Sequence, residues 1–374
     1  MGDVKTFITG DGDQQKTLVA IFLRGGADGL SLVPPLGDDG YYKARPRIAL
    51  SRTEAIKLDG FYGLNPALQP LEPLYRDGQM AIIQAAGSED DSRSHFEAQD
   101  LMEHAGKTAA GWIGRFLLAR PRTIRSPLTA VAIGEKVPES LRGSPAATVM
   151  KTFEDFSLGR DSEGLSAALA RQYANQDTRV GQAARDTFGA MQRIAELRRT
   201  RYRPANGAQY SYDRFAKGME QIARLIKARV GLEVASIYLD GWDSHAGQSN
   251  TIDPLMSWLS GALSAFHRDL GDEMKNTTVV VMTEFGRRLA ENGSFGTDHG
   301  RASVMFALGG GVKGGRVMGT WPGLKREVLD GPGDLPVTTN YRNVLAPLLE
   351  HHSPDVNLRQ VFPDFDLKPL ELFA

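Results

Sequence analysis

Residues 278–300, TVVVMTEFGRRLAENGSFGTDHG, hold the pattern that decides the fold and organises the rest of the chain. The stretch begins inside a β-branched apolar run, residues 277–282, whose length and composition predict a strand buried on both faces. The run stops at Thr283, and a loop containing Gly and Asn then leads to Asp298 and His299. Acidic residues and a histidine just past the carboxyl end of a buried strand lie where open α/β sheets bind their ligands.

The composition is that of a globular protein without a nucleic-acid or membrane signature. Hydrophobic residues make up 41% and charged residues 24% of the 374 residues, enough for one large or two smaller domains. A net charge of −1 and a pI near 6.7 predict no basic surface for nucleic acid. No apolar run approaches the roughly 20 residues of a membrane span. The first residues lack the pattern of an export leader, so a leaderless or already processed chain is expected.

The chain contains no cysteine. Disulfides, thiolate metal ligands and a cysteine nucleophile are therefore excluded. Such a composition fits the cytoplasm and the periplasm equally well.

Asp28 follows the first predicted strand, residues 17–23, in the segment RGGADGLSLV. Consecutive glycines after a strand let the backbone turn sharply and approach a ligand closely. Taken alone, Asp28 fits a turn residue of an Asp-Gly pair better than a ligand. Its place at a strand end nevertheless makes it a candidate metal ligand. The segment is neither a G-x-G-x-x-G motif nor a P-loop, so nucleotide binding is not indicated.

Ser94 and His95 follow a second predicted strand, residues 79–85, and a run of acidic and serine residues. This run predicts the start of a helix over about residues 93–103. In the first turn of a helix, free backbone N–H groups and the positive dipole end favour an anion. Ser94 is therefore a candidate nucleophile towards a phosphate or sulfate ester. It fits the role of helix N-cap equally well.

The third segment, LDGWDSHAGQ, follows a predicted strand at residues 232–239. Asp243 and His245 in this segment can supply two metal ligands from one loop. The fourth segment is the opening stretch, and its Arg287 is predicted to act with Ser94 and His95 in catalysis. The full set of predicted metal ligands is Asp28, Asp243, His245, Glu284, Asp298 and His299.

The order of predicted strands and helices indicates an α/β fold with a doubly wound, mostly parallel sheet sandwiched by helices. We expect a single domain over residues 1–374. Residues 161–230 are charged and periodic, which predicts two or three helices that form an insertion or cap on the sheet.

Carboxylates mixed with imidazoles suit Zn²⁺, Mn²⁺ or another borderline divalent ion. Such an ion polarises an ester oxygen and lowers the pKa of a bound hydroxyl, so either Ser94 or a metal-bound hydroxide can attack the ester. The residues thus favour a metal-dependent hydrolase of phosphate or sulfate esters. Its expected substrate is a small-molecule or glycan ester.

Several segments resemble the DUF1501 family of uncharacterised bacterial proteins: LVAIFLRGGADGLSLVPP, SRSHFEAQDLMEHAG, GWDSHAGQ, TEFGRRLAENGSFGTDHG and GGGVKGGRVMGTWPGL. The family is grouped with the alkaline phosphatase and sulfatase superfamily. The resemblance implies that fold, a first-strand Asp ligand, a Ser or Thr nucleophile at a helix start, and further Asp and His ligands. The order here is similar: Asp28, Ser94, Asp243 with His245, Glu284, and His299. Family members usually carry a twin-arginine export leader, so the resemblance favours the periplasm.

The chain departs from the superfamily pattern at Glu284-Phe285, where the resemblance implies Asp-His. Phe285 cannot bind a metal. We therefore expect one metal, or a remodelled pair in which His95 replaces a lost ligand. No Cys-x-Pro-x-Arg or Ser-x-Pro-x-Arg motif is present, which argues against a formylglycine sulfatase. Two alternatives stay open: a phosphomutase- or phosphotransferase-like enzyme, and a non-catalytic binding or secretion-associated protein with a degraded site.

Overall fold

The computed structural model describes residues 15–120, 126–144, 146–154, 156 and 163–373. In chain order the strands are β1 (Thr17–Arg24), β2 (Ile56–Lys57), β3 (Gly63–Leu64), β4 (Met80–Gly87), β5 (Ala130–Ile133), β6 (Thr148–Met150), β7 (Val234–Asp240), β8 (Thr277–Thr283), β9 (Ser303–Gly309), β10 (Arg316–Met318) and β11 (Thr339–Asn340). Strands β2 and β3 pair only with each other, and the remaining strands form one nine-stranded sheet.

The α-helices are α1 (Gly29–Leu32), α2 (Asp39–Ala44), α3 (Glu72–Arg76), α4 (His95–His104), α5 (Trp112–Leu118), α6 (Glu163–Tyr173), α7 (Arg179–Arg199), α8 (Arg214–Lys227), α9 (Gln248–Leu270), α10 (Tyr341–His352) and α11 (Leu358–Val361). Short 3₁₀ helices occupy Pro66–Leu71, Glu139–Leu141, Gly271–Asn276 and Arg326–Val328. Within the described part of the chain, no helix combines the length and apolarity needed to cross a membrane.

The sheet is mostly parallel, as the sequence predicts. Its strand order is β10-β4-β9-β8-β1-β7-β5-β6, with β11 beside β4. Every pairing is parallel except the two that β9 makes with β4 and β8. Strand β1 lies between β8 and β7, with Leu23 opposite Thr283 and Arg24 opposite Asp240. The carboxyl ends of these three strands therefore open at the same edge of the sheet.

Side chains of β1 alternate between two cores, one on each face of the sheet. Val19 and Ile21 join a core that includes residues of α8 and α9. Ala20 and Phe22 point the other way, into a core built with residues of α4, α5 and α10. A strand buried on both faces reads as a continuous apolar run, which is the pattern of residues 17–23. The prediction of a doubly wound sheet between helical layers is confirmed.

Three helices, α6, α7 and α8, occupy the region predicted to be a helical insertion. Helix α8 packs along α9 and against β7, whereas α6 and α7 pack against each other. Asp269, near the end of α9, connects this region to α9 by hydrogen bonds. Its carboxylate accepts hydrogen bonds from Tyr202 (2.6 Å), Tyr210 (3.0 Å) and Lys227 (2.7 Å). That the chain is a single domain with an insertion stays a prediction.

Local differences from the predicted elements occur where prolines or very short strands are involved. Residues 66–76 form a 3₁₀ helix followed by α3, since Pro70 has no N–H for a continuous helical ladder. Asn65 caps the 3₁₀ helix, accepting from Ala67 N at 3.0 Å. Strand β6 has three residues, too few to show a sequence period. Helix α9 begins before Pro254, which it accommodates inside the helix.

Candidate metal centre

Three histidines and one aspartate converge at the edge where β8, β1 and β7 end. One ligand atom each from His95, Asp243 and His299 lies within 4.8 Å of the other two. His299 Nε2 is 3.2 Å from Asp243 Oδ1, and His95 Nε2 is 3.5 Å from Asp243 Oδ2. His245 Nε2 joins them, 3.1 Å from Asp243 Oδ1 and 2.9 Å from His299 Nε2. The structure thus brings together four of the residues that the sequence singles out.

The three histidines are held by their Nδ1 atoms, so that Nε2 of each faces the shared point. His95 Nδ1 is 2.9 Å from Glu284 Oε1, and His245 Nδ1 is 3.3 Å from Asp298 Oδ1. His299 Nδ1 is 2.9 Å from the carbonyl oxygen of Arg93. Carbonyl and carboxylate oxygens accept hydrogen bonds, so a proton on each Nδ1 fits these contacts and would leave each Nε2 able to bind a cation. This arrangement is typical of histidines that bind metals.

The Nε2 atoms of the three histidines lie close to one carboxylate, and two of them lie close to each other. His95 Nε2 is buried and has no hydrogen-bond partner. The Nε2 atoms of His245 and His299 lie only 2.9 Å apart, and two lone pairs at this separation repel unless a proton or cation lies between them. His95, Asp243 and His299 offer two imidazoles and one carboxylate within 4.8 Å of one another, with His245 Nε2 beside two of them, and such donors suit Zn²⁺ or a related ion. The residues therefore fit the predicted metal.

Glu284 lies behind His95 rather than among the converging atoms, which corrects its predicted role as a ligand. The residue is 1% exposed, and its Oε1 accepts from His95 Nδ1, Gly25 N (2.8 Å) and Gln99 Nε2 (2.9 Å). Burial alone would raise the pKa of Glu284, but these hydrogen bonds hold its pKa below the usual value. The hydrogen bond to this carboxylate in turn raises the pKa of His95. Glu284 therefore orients His95 and increases its basicity.

Asp298 contacts Nδ1 of His245, as Glu284 contacts Nδ1 of His95. It therefore lies behind that histidine and not among the converging atoms, where a ligand was predicted. Its Oδ1 faces His245 Nδ1 and also accepts from Asn292 Nδ2 at 3.3 Å. Asn292 donates in addition to the carbonyl of His245, and its Oδ1 accepts from Gly296 N. The loop that carries Asp298 is thereby fixed to the loop that carries His245. Asn292 was missed because an Asn in a Gly-containing loop is usually only a turn residue.

Arg287 holds Asp243, and each of its side-chain nitrogens donates to a protein oxygen, so the structure gives it a positioning role and its catalytic role stays a prediction. Its side chain is fully buried, and its nitrogens donate to the carbonyls of Gly25, Gly26, Trp242 and Thr297. Nη2 also donates to Asp243 Oδ1 at 2.8 Å. Burial by itself would raise the pKa of Asp243, but Arg287 holds that pKa at about 2. Asp243 is therefore ionised and ready to bind a cation.

Asp28 is not part of the cluster, which corrects its prediction as a ligand. Its carboxylate is fully buried and paired with Arg45, with Nη1 2.5 Å from Oδ2 and Nη2 3.1 Å from Oδ1. Ser31 and Gln248 donate to it as well, and it caps α1. Burial alone would raise the pKa of Asp28, but Arg45 keeps the pKa below its usual value. Both carboxylate oxygens of Asp28 are therefore engaged within the protein, in a buried ion pair and a helix cap.

Ser94 is the N-cap of α4, the more modest of the two roles that the sequence allows. Its hydroxyl accepts from Glu97 N at 3.5 Å, a long contact. Both neighbours touch the cluster: Arg93 through its carbonyl to His299, and His95 directly. Arg93 has a positive φ of 56°, an uncommon conformation for a residue other than glycine. Ser94 is thus flanked by cluster contacts, but no hydrogen bond in the described structure joins its hydroxyl to the histidines.

Phe285 forms an apolar wall against two of the histidines. Its ring centroid is 4.8 Å from that of His95 and 4.9 Å from that of His299. Gly26 lies directly on this ring, with φ +71°, and a Cβ there would come within 2.5 Å of Phe285. The wall occupies the space beside the cluster with carbon atoms that cannot bind a metal. The geometry therefore favours one ion over a remodelled pair.

Another group of potential ligands joins Asp100 and His104 of α4 to Glu139 of a 3₁₀ helix. The two nitrogens of its histidine face different carboxylates, at 3.7 Å and 3.1 Å. Glu139 also accepts from Arg142 at 2.9 Å. These contacts are those of a salt-bridge network around one imidazole.

A sequence model of the family described as "Protein of unknown function (DUF1501)" matches residues 78–353. No curated protein matches the chain.

Solved structures similar to this chain include hydrolases and a zinc complex. The C-terminal periplasmic domain of EcEptC from Escherichia coli, in complex with Zn, has 8% identity and a TM-score of 0.36, covering 80% of this chain and 74% of that one. For PsFucS1 sulfatase from Pseudoalteromonas sp. the identity is 12% and the TM-score 0.35, covering 81% and 64%. Alkaline phosphatase from the Antarctic bacterium TAB5 has 12% identity and a TM-score of 0.30, covering 80% and 93%. At these values none of the three bears on the activity of this chain.

Proposed function

Because the chain belongs to the DUF1501 family, whose function is unknown, we propose from its own residues that it is a metal-dependent hydrolase of phosphate or sulfate esters. One observation carries the proposal. Three histidines, each oriented through Nδ1, direct their Nε2 atoms at the ionised carboxylate of Asp243. Several imidazoles around one carboxylate are the kind of donor set that binds Zn²⁺ or Mn²⁺. A small-molecule or glycan ester would be the substrate, and the periplasm the expected location.

The proposed ligands are His95, Asp243, His245 and His299, holding one divalent ion, with Zn²⁺ or Mn²⁺ favoured. When bound, this ion would supply Lewis acidity to an ester oxygen. The chain supplies the remaining functions. Glu284 and Asp298 hold two of the histidines, and Arg287 keeps Asp243 ionised and in place. Phe285 excludes water from one side of the imidazoles.

The attacking group is Ser94 or a water. Ser94 begins α4, where the first backbone N–H groups and the positive helix end stabilise a negative charge. A rotation of the Ser94 side chain away from its long contact to Glu97 would free the hydroxyl. The alternative nucleophile is a water that approaches from the open side, where Asp243 and His245 are about half exposed.

A non-catalytic binding protein is the second candidate, and two observations favour it. Ser94 acts as a helix cap, and Phe285 stands where a further ligand is implied by the resemblance. Such a protein would bind the ion and a ligand without turnover. A phosphomutase- or phosphotransferase-like enzyme would differ from a hydrolase only in its products.

The test is hydrolysis of 4-nitrophenyl phosphate, bis(4-nitrophenyl) phosphate and 4-nitrophenyl sulfate by the metal-loaded protein. We expect turnover of at least one ester that is lost in His245→Ala and retained in the control His351→Ala, whose histidine stacks on Phe373 instead. Unchanged activity in Ser94→Ala would assign the attack to water. A metal-loaded protein inactive on all three esters would favour the binding protein, and transfer of phosphate to an added alcohol would favour a phosphotransferase.

A further inference from the structure

We propose that Arg288 binds a negatively charged oxygen group of the substrate on the open side of the centre. The inference rests on the proposed function, because it assigns a residue that recognises the ester substrate. The group recognised is an oxyanion, either an oxygen of the reacting phosphate or sulfate or a second anionic group on the same molecule.

Arg288 differs from its neighbour Arg287 in having an unused guanidinium. Every donor group of Arg287 is engaged with protein oxygens and its side chain is buried. The side chain of Arg288 is 35% exposed, and its Nε atom is buried without a hydrogen-bond partner. Among the described residues, its guanidinium makes ion pairs only with Asp298 and Asp334, both at 3.9 Å. These contacts are longer than hydrogen bonds, so Nη1 and Nη2 remain available, whereas the buried Nε faces Asp334 Oδ1.

The position of Arg288 places this guanidinium beside the open face of the cluster. Its backbone N–H donates to the carbonyl of Asp298 at 3.0 Å, and the Asp298 carboxylate in turn supports His245. One carboxylate therefore separates Arg288 from a proposed ligand. The side chains of Asp243, His245 and Asp298 are about half exposed, whereas those of His95 and His299 are about a quarter exposed. A substrate from solvent would meet these more exposed side chains first, and Arg288 lies beside one of them, Asp298.

Each of the two carboxylates near Arg288 is bound more closely by another residue than by Arg288. Arg93 donates to Asp334 Oδ2 from Nε (2.8 Å) and Nη2 (2.6 Å). Asp298 interacts with Asn292 and His245. A guanidinium with free donors in a planar fork matches the oxygens of phosphate, sulfate or carboxylate. The chemistry that Arg288 fits is therefore an oxyanion arriving with the substrate.

The experiment is calorimetric titration of the full metal-loaded chain with inorganic phosphate and with sulfate at low ionic strength. We expect Arg288→Met to weaken the affinity for at least one anion by about tenfold or more, and Arg288→Lys to weaken it less. The control Arg316→Met removes an arginine of the edge strand β10 and should leave binding unchanged. Metal content should be the same in all four proteins. Absence of anion binding by the wild type, equal binding by Arg288→Met, or loss of metal in that variant would each overturn the proposal.

Kinetics with two esters separate the sources of the oxyanion. Equal losses of kcat/KM in Arg288→Met on 4-nitrophenyl phosphate and 4-carboxyphenyl phosphate would place Arg288 on the reacting group. A loss confined to the carboxylated ester would place it on a second anionic group, and no loss on either would contradict the assignment. A protein that is inactive on esters but binds phosphate through Arg288 would refute the hydrolase and retain this inference. Metal-dependent hydrolysis that is unchanged in Arg288→Met, together with unchanged anion binding, would support the hydrolase and refute this inference.

Discussion

The contact between Glu284 and His95 determines which nitrogen of that histidine faces the cluster. Gly25 N and Gln99 donate to the same carboxylate oxygen, which fixes the carboxylate as well as the ring. A carboxylate behind a metal-binding histidine increases the basicity of the ligand and fixes its tautomer. At the scale of single residues, the function of the centre therefore depends on side chains that would never touch the ion.

Glu284→Gln should weaken metal affinity without unfolding the protein. The amide preserves the size of the side chain, but it removes the charge that raises the pKa of His95. We expect a loss of metal affinity of about 10- to 100-fold, measured by titration against a chelator of known affinity. Glu89→Gln is the matched control, since Glu89 pairs with Arg342. Equal affinities in wild type and Glu284→Gln would show that this contact does not support a ligand.

Asp28→Asn should lower stability and leave metal content unchanged. The substitution leaves the fully buried Arg45 charge without its partner, which typically costs about 3–5 kcal/mol. Urea unfolding measures the loss, and elemental analysis of the folded variant measures the metal. Replacing both residues, Asp28→Asn with Arg45→Met, should recover part of the stability. A variant that keeps its stability but loses metal would restore Asp28 to the ligand set.

Among the elements, the ends of β8, β1 and β7 matter most because they carry the loops of the centre. The apolar runs predicted these strands within one or two residues, since a strand buried on both faces has no polar residues to interrupt it. The strand ends also indicated correctly that Asp243, His245 and His299 would meet. They could not show which acidic residues bind directly and which stand behind a histidine. Residues of both kinds lie at the same edge, and only side-chain geometry distinguishes them.

The ion pair between Asp28 and Arg45 could not be predicted from the sequence either. Arg45 lies just beyond α2, in a Pro-, Gly- and aromatic-rich region without any readable motif. Nothing in the local sequence predicts that the Arg45 guanidinium contacts Asp28 at the end of β1. Arg93 was likewise unpredictable as a partner of His299, because it contributes a backbone carbonyl that every residue possesses.

Helices α8 and α9 are joined through Asp269, and this junction predicts a pH dependence. Burial alone would raise the pKa of Asp269, but hydrogen bonds from Lys227 and Tyr202 hold it below 3.8. A carboxylate whose pKa is lower in the folded protein stabilises the fold above its unfolded pKa. That stabilisation is lost as the pH falls from about 3.8 through the folded pKa.

Asp269→Asn should therefore be less stable than wild type at pH 7, by about 1.5–3 kcal/mol for the loss of a charged hydrogen-bond acceptor. The difference in stability should shrink below about pH 4, because the Asp269 carboxylate of the unfolded wild-type protein then binds a proton before that of the folded protein. Urea unfolding at both pH values measures it. A difference that stays constant from pH 7 to pH 3 would argue against an ionised Asp269 at this junction.

For the whole molecule, the fold class and the family follow from patterns spread along the chain, whereas the site depends on contacts between its distant parts. His95 and Glu284 are 189 residues apart, and Arg93 and His299 are 206 apart. The doubly wound sheet brings these positions together because β8, β1 and β7 are neighbours and α4 follows β4 nearby. Phe285, at the position where the resemblance implies a histidine ligand, lies against His95 and His299, so an apolar ring occupies the space of that ligand.

The most direct test of this centre is elemental analysis of protein purified without a histidine tag. The geometry predicts about one divalent ion per chain, lost in His245→Ala and in His299→Ala and retained in His351→Ala. A metal content well below one per chain that does not change in the two cluster variants would contradict the centre and the hydrolase built on it.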